Sequence, residues 1–152
     1  AITLGAGARG VVYGNFARAY PSHLRIVGVV DPVPVRRERY AQTHGLAPDA
    51  CFAQWTEVFA RPRFADAVIV STPDHLHADP CLAALAAGYD VLLEKPIAPT
   101  EAECLAVLAA AQATDRIVAV CHVLRYAPYF QRLRALLQEG AIGQLIGVQH
   151  QE

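Results

Sequence analysis

Gly5, Gly7 and Gly10 fall in the stretch LGAGARG at the spacing G-x-G-x-x-G. Such a turn suits a pyrophosphate. The first glycine permits the bend, the second lets backbone approach the phosphates, and the third lets the following helix pack closely on the sheet. The N–H groups of Ala8, Arg9 and Gly10 would open that helix and face the anion. The string alone decides little, because a glycine turn in a fold that holds no dinucleotide reads the same. Asp31 adds weight: it lies 21 residues past Gly10, at the end of the second apolar run, where a carboxylate accepts the adenine-ribose hydroxyls. A carboxylate there also repels a 2′-phosphate, so NAD is expected over NADP. Arg36 and Arg37 could cradle such a phosphate, but Pro32 and Pro34 precede them and begin the next helix, and both arginines are expected on its solvated face.

Two later stretches could bring side chains to the same place. STPDHLHADP follows an apolar run directly, and Pro73 is tolerated in the first turn of a helix because that N–H has no partner in any case. The end of the run would then face the ligand crevice at the carboxyl edge of the sheet. In LLEKPIAPT, Pro96 keeps Lys95 out of the helical region, so a strand would end on an extended Glu94-Lys95 pair aimed into that crevice. A lysine there could pass a proton to or from a substrate hydroxyl. The plainer reading is a surface ion pair between Glu94 and Lys95, and position alone does not choose between them. His75 and His77 are two apart and would point to different faces of a helix, so a metal site with Cys121 and His122 is not expected.

The elements that must position these residues alternate along the chain. Apolar runs at Ala1 to Leu4, Leu24 to Val30, Ala67 to Ser71, Tyr89 to Leu93 and Ile117 to Val120 read as strands buried on both faces. Between them, Val11 to Ala19, Val35 to His44, His75 to Ala87 and Glu101 to Ala113 read as amphipathic helices, with a shorter one from Trp55 to Ala60. This alternation predicts an α/β fold, a doubly wound parallel sheet of the Rossmann type with helices on both faces. Gly45, Gly88 and Gly140 sit just past helical runs as C-caps, and Thr100 with Glu103 forms a capping box, so Glu101 and Glu103 receive no catalytic role. After Val120 the character changes. RYAPYFQRLRALLQEG reads as a basic amphipathic helix, and QLIGVQHQE alternates like a further strand.

Composition narrows the partners. The 13 basic and 14 acidic residues leave a net charge of -1, with no electrostatic footprint for nucleic acid or an anionic membrane surface. No apolar run approaches the roughly 20 residues that span a bilayer. The four cysteines (Cys51, Cys81, Cys104 and Cys121) are dispersed without a CxxC pair, which fits a reducing cytoplasm. Methionine is absent even at position 1, so the two ends are expected to be boundaries within a longer protein.

Taken together, LGAGARG, Asp31, STPDHLH, LLEKP and CHVLRYAPYFQRLRALLQEGAIGQLIGVQH resemble the glucose-fructose oxidoreductase and inositol dehydrogenase family (Gfo/Idh/MocA) across essentially the whole chain. The EKP tripeptide is the most specific mark, supported by His122, by Arg125 with Tyr126 and Pro128 after it, and by GAIGQLIGVQ. The resemblance implies a two-domain, nicotinamide-dependent enzyme acting on a sugar, polyol or nucleotide sugar. Residues 1–122 would form the NAD(P)-binding domain, and residues 123–152 the linker helix and first strand of a substrate domain that is otherwise missing here.

Carried over by position, Lys95 would be the catalytic lysine that binds and polarises the reacting hydroxyl, with Glu94 beside the nicotinamide ribose. Thr72, Pro73 and His77 would line the nucleotide, and His122 with Arg125 would lie near the nicotinamide end. A further acid-base histidine, and the contacts of a homo-oligomer, would come from the second domain. The fragment by itself is therefore expected to be inactive. Three other readings remain at this point: an NAD-dependent glycoside hydrolase of the same superfamily, a non-catalytic NAD-binding module, and a methyltransferase. The last also uses a glycine turn with an acidic ribose ligand but gives EKP no purpose.

Overall fold

Runs such as ITL and AVIV carry no strongly polar residue at any position, and strands of that kind need cover on both faces. The computed structural model, which describes residues 1–151, provides it. Six strands pair side by side: β1 (Ile2–Leu4), β2 (Gly28–Val30), β3 (Cys51–Phe52), β4 (Ala67–Val70), β5 (Asp90–Leu93) and β6 (Val118–Val120). Their order is β3-β2-β1-β4-β5-β6, and every pair is parallel. The chain leaves β1 toward β2 on one side and returns to β4 on the other, so the strand order reverses between β1 and β4. This is the doubly wound arrangement that the alternation predicts, and it opens a crevice at the carboxyl ends of those two strands.

Period-two alternation divides the core. Ile2, Leu4, Val68, Val70, Val91 and Leu93 point to one face, where α3 (Trp55–Phe59), α4 (Ala78–Ala86) and α5 (Glu101–Thr114) bury them with Val58, Cys81, Leu85 and Val107. Val29 and Ile69 point to the other face, under α1 (Ala8–Ala19) and α2 (Pro34–His44). On that second face Thr3 is wholly buried, and its hydroxyl is satisfied by Tyr40 Oη at 3.0 Å. Tyr40 also donates to the carbonyl of Gly10 at 3.2 Å, which ties α2 to the first turn of α1.

The differences from the sequence reading are local. The strand β3 was not expected; two residues after the turn Pro48–Ala50 are too few to show a period. The expected helix from His75 to Ala87 is a 3-10 turn (Asp74–Leu76) followed by α4, and α1 begins at Ala8 rather than Val11. From His122 on the chain forms a second unit. There a 3-10 turn (Val123–Tyr126) precedes α6 (Pro128–Gln138), because the residue before a proline is held extended, and Ala127 has φ -71° and ψ 128°. The segment QLIGVQHQE, expected as the first strand of a further domain, is unpaired over residues 145–151, and its last residue lies outside the described residues. A strand needs a partner ladder, and among the described residues none pairs with this segment. No helix of the described residues is long and apolar enough to cross a membrane.

Gly14 is the point where α1 and α2 approach most intimately. A Cβ placed there would come within 2.5 Å of His44 Nε2 and 2.7 Å of Tyr40 Oη, and Tyr40 is held by its bonds to Thr3 and Gly10. Gly14→Ala should gain up to about 1 kcal/mol of helix propensity yet lose more to the clash, for a net destabilisation of about 1 to 2 kcal/mol. Urea denaturation checks this, and a variant as stable as wild type would mean that α2 yields without cost.

Candidate functional site

The turn after β1 is built from backbone contacts that leave no room for a side chain at Gly5 or Gly10. Gly5 has φ +93°, and a Cβ there would meet the Ser71 carbonyl oxygen at 2.6 Å. Its N–H donates to the carbonyl of Val30 at 2.8 Å, and the Ser71 hydroxyl lies 2.9 Å from the Gly5 carbonyl oxygen, so the loops after β1 and β4 are locked together. A Cβ at Gly10 would overlap the Gly5 carbonyl oxygen, which lets α1 begin directly on the turn. At Gly7 a Cβ would meet nothing within 4 Å. The N-terminus of α1 has no side-chain cap and no acidic residue in its first turn. Its positive end thus faces open space beside Gly7, the arrangement a pyrophosphate requires.

Asp31 follows β2 and is 97% buried, with 3% exposure. One carboxylate oxygen accepts from Ala6 N at 2.8 Å and the other from Val33 N at 2.8 Å. Each oxygen retains a lone pair for a ribose hydroxyl, but the carboxylate also organises the two loops around it. The arginines sit differently from the expectation of a purely solvated face. Arg37 donates from Nη1 to the Asp31 carbonyl at 2.5 Å, and Arg36 lines the crevice, because the first turn of α2 starts immediately beside Asp31.

The crevice is a cavity of about 500 Å³. Leu4, Gly5, Gly7, Ala8 and Arg9 line it from β1 and α1, and Val30, Asp31, Pro32 and Arg36 from β2 and α2. Ser71, Thr72, Pro73 and Leu76 complete the wall after β4. Ala53, Gln54 and Trp55 also line it and were missed by sequence reasoning. They follow β3, and without that strand nothing assigned them to the carboxyl edge. The single tryptophan of the chain was the one available signal.

His77 does not line this cavity. It has no exposed surface, and its ring stands 2.7 Å (Nδ1) from the Pro96 carbonyl oxygen and 2.9 Å (Nε2) from that of Thr72. It therefore braces the loop after β4 against the one after β5 from beneath. At the end of β5 the pair Glu94-Lys95 is divided: Lys95 is exposed, whereas Glu94 is 5% exposed. The Glu94 carboxylate accepts from Tyr13 Oη at 2.6 Å and from Lys95 N at 3.2 Å, and lies 3.7 Å from Arg9 Nε. Its ion pair is thus with Arg9, and the reading of Glu94 with Lys95 as a surface pair is not what the side chains form. The peptide Lys95-Pro96 is cis. His122 and Arg125 belong to the second unit, where His122 heads the turn Val123–Tyr126 and its carbonyl accepts from Arg125 N at 3.1 Å.

Comparison with known proteins agrees with this architecture. The model of the Gfo/Idh/MocA oxidoreductase family, NAD-binding Rossmann fold, matches residues 2–122. An inositol 2-dehydrogenase of Gluconacetobacter diazotrophicus is 35% identical over 147 residues, covering 95% of this chain and 43% of the relative. A 1,5-anhydro-D-fructose reductase of Ensifer adhaerens is 32% identical over 121 residues, covering 80% and 35%. In three dimensions the chain matches the WlbA dehydrogenase of Chromobacterium violaceum, solved in complex with NADH and UDP-GlcNAcA, with a TM-score of 0.84. That likeness of fold comes at 24% identity over 93% of this chain and 40% of the other. The chain spans less than half the length of each of these proteins.

Because the wholly buried ring of His77 can donate its one N–H to the Thr72 or the Pro96 carbonyl, His77→Leu should cost about 1 to 3 kcal/mol, the range for leaving one such group unpaired. Chemical denaturation measures it. A loss below about 1 kcal/mol would show that the two loops do not depend on this brace.

Proposed function

Since this chain belongs to the Gfo/Idh/MocA oxidoreductase family, we propose that its crevice binds NAD and that the longer protein is a dehydrogenase of a sugar, polyol or nucleotide sugar. One observation carries the reading: a helix terminus without cap or acid, an open glycine and a buried carboxylate meet at the sheet's switch point, one strand away from an exposed lysine. The fit to a dinucleotide is physical. The α1 N–H groups would hold the pyrophosphate, Asp31 the adenine ribose, and Thr72, Pro73 and Trp55 the walls around the nucleotide. When bound, NAD supplies the hydride acceptor. Lys95 would bind and polarise the substrate hydroxyl, and Glu94 would sit beside the nicotinamide ribose. His122 and Arg125 would serve the nicotinamide end. Residues 123–152 would lead into a substrate domain that supplies the remaining acid-base group and excludes water.

The carboxylate of Asp31 favours NAD, while Arg36 at the crevice wall is the one group suited to a 2′-phosphate. Calorimetric titration of the chain should give tighter binding of NAD than of NADP, and Asp31→Ser should narrow the gap by about 1 to 3 kcal/mol. Equal or tighter binding of NADP by wild type would reverse the cofactor assignment.

For the longer protein, Lys95→Ala should lower turnover by a factor on the order of 100 or more with little change in cofactor affinity. Steady-state kinetics on the best of a panel of sugars and polyols decides this, and unchanged turnover would remove Lys95 from the chemistry. The 152-residue chain alone should produce no NADH from the same panel.

A further inference from the structure

Tyr13 lies well inside α1, away from the glycine turn, where an aromatic residue ordinarily packs into the core. Here its ring covers the thinner face of the sheet, and its hydroxyl reaches the end of β5. Arg9 and Tyr13 are four apart and so share one face of α1, and both meet Glu94. They do not contribute equally. Arg9 is half-exposed and stands 3.7 Å away, so solvent weakens its pull. The Tyr13 hydroxyl makes a contact of 2.6 Å with the carboxylate, the length of a charge-assisted hydrogen bond.

The hydroxyl also lies 2.9 Å from Cys121 Sγ, and Cys121 is anchored beside it by its N–H bond to the Leu93 carbonyl. A phenol has one proton and two acceptors compete for it. The carboxylate is the better acceptor, which leaves the thiol to donate to the phenol oxygen. Burial pushes both the Tyr13 phenol and the Cys121 thiol above their ordinary ranges, so each keeps the proton this chain of contacts needs.

We propose that Tyr13 is a positioning residue for the nicotinamide half of the cofactor: through one hydrogen bond it holds the Glu94 carboxylate, and with it the start of the EKP turn, in the orientation the distal ribose requires. The inference rests on the proposed binding of NAD in this crevice. It assigns Tyr13 no contact with the nucleotide's adenosine half, which is gathered by Asp31, Thr72, Pro73 and Trp55. Tyr13→Phe keeps the ring and removes only the donor.

The test compares NAD with ADP, which lacks the nicotinamide ribose. Calorimetric titration of Tyr13→Phe should give NAD binding about tenfold weaker than wild type, the effect of losing one hydrogen bond to a charged group, with ADP affinity changed less than about twofold. In a Glu94→Gln background the same substitution should add nothing further to the loss of NAD affinity. Equal losses for NAD and ADP, or a lowered melting temperature with NAD affinity intact, would reduce Tyr13 to a packing role and overturn the proposal. If Tyr13→Phe does not unfold cooperatively, Glu94→Gln alone carries the test, because unchanged NAD binding by that variant overturns it equally. Failure of wild type to bind either NAD or ADP would instead sink the reading of the crevice itself.

Discussion

A side chain at Gly10 would occupy the space of the Gly5 carbonyl oxygen, so α1 can start where it does only while both positions lack a Cβ. That contact sets the axis of α1 over the sheet, and the remaining geometry follows along the helix. Its open N-terminus comes to lie beside Gly7. Arg9 and Tyr13 come to lie over Glu94, and Gly14 meets Tyr40 and His44 on α2. A displacement of α1 by the thickness of one methyl group would therefore reach the glycine turn, the EKP turn and the packing of α2 together. Protein interiors transmit such shifts because they are packed to the density of organic crystals.

Asp31 shows why the crevice has this form before any ligand enters it. Its carboxylate is out of water and accepts the N–H groups of Ala6 and Val33, which belong to the loops after β1 and β2. Each of those N–H groups would otherwise be a donor without a secondary-structure partner, and a charged acceptor satisfies such a donor more strongly than a neutral one. The same oxygen atoms remain able to accept from a ribose. In the proposed binding mode, fold and recognition would draw on one side chain, and a substitution at Asp31 would act on both.

Much of this was legible in the sequence because the glycine spacing and the apolar runs each have a period or a steric rule behind them. The five longer strands, the helices between them, the meeting of Gly5, Gly7 and Asp31 at one crevice and the packing of Gly10 on Gly5 follow from those rules. The strand β3 did not, since two residues carry no period, and Trp55 was lost with it. His77 illustrates a different limit. The family resemblance implied that it lines the nucleotide, whereas after the 3-10 turn Asp74–Leu76 its ring is buried beside the carbonyls of Thr72 and Pro96. Tyr13 was silent because an aromatic residue inside a helix looks like core, and only its partners distinguish it. In QLIGVQHQE, alternation describes a capacity to pair, and pairing depends on other strands.

The division of Glu94 from Lys95 follows from strand geometry more than from either side chain's chemistry. Successive residues on an extended chain point to opposite sides, so a carboxylate drawn toward α1 sends the next residue the other way. Tyr13 and Arg9 hold Glu94 inward, the Lys95 N–H closes back on the same carboxylate, and the lysine side chain is left exposed. The ring of His77 then lies between the carbonyl of Pro96, the next residue, and that of Thr72, in the loop that walls the crevice. Lys95 is thereby fixed at its backbone from both sides while its side chain is left exposed. A side chain on a flexible four-carbon stem returns to one place only if its backbone is rooted. At this edge of the sheet the rooting is done by Tyr13 and His77, neither of which lines the crevice.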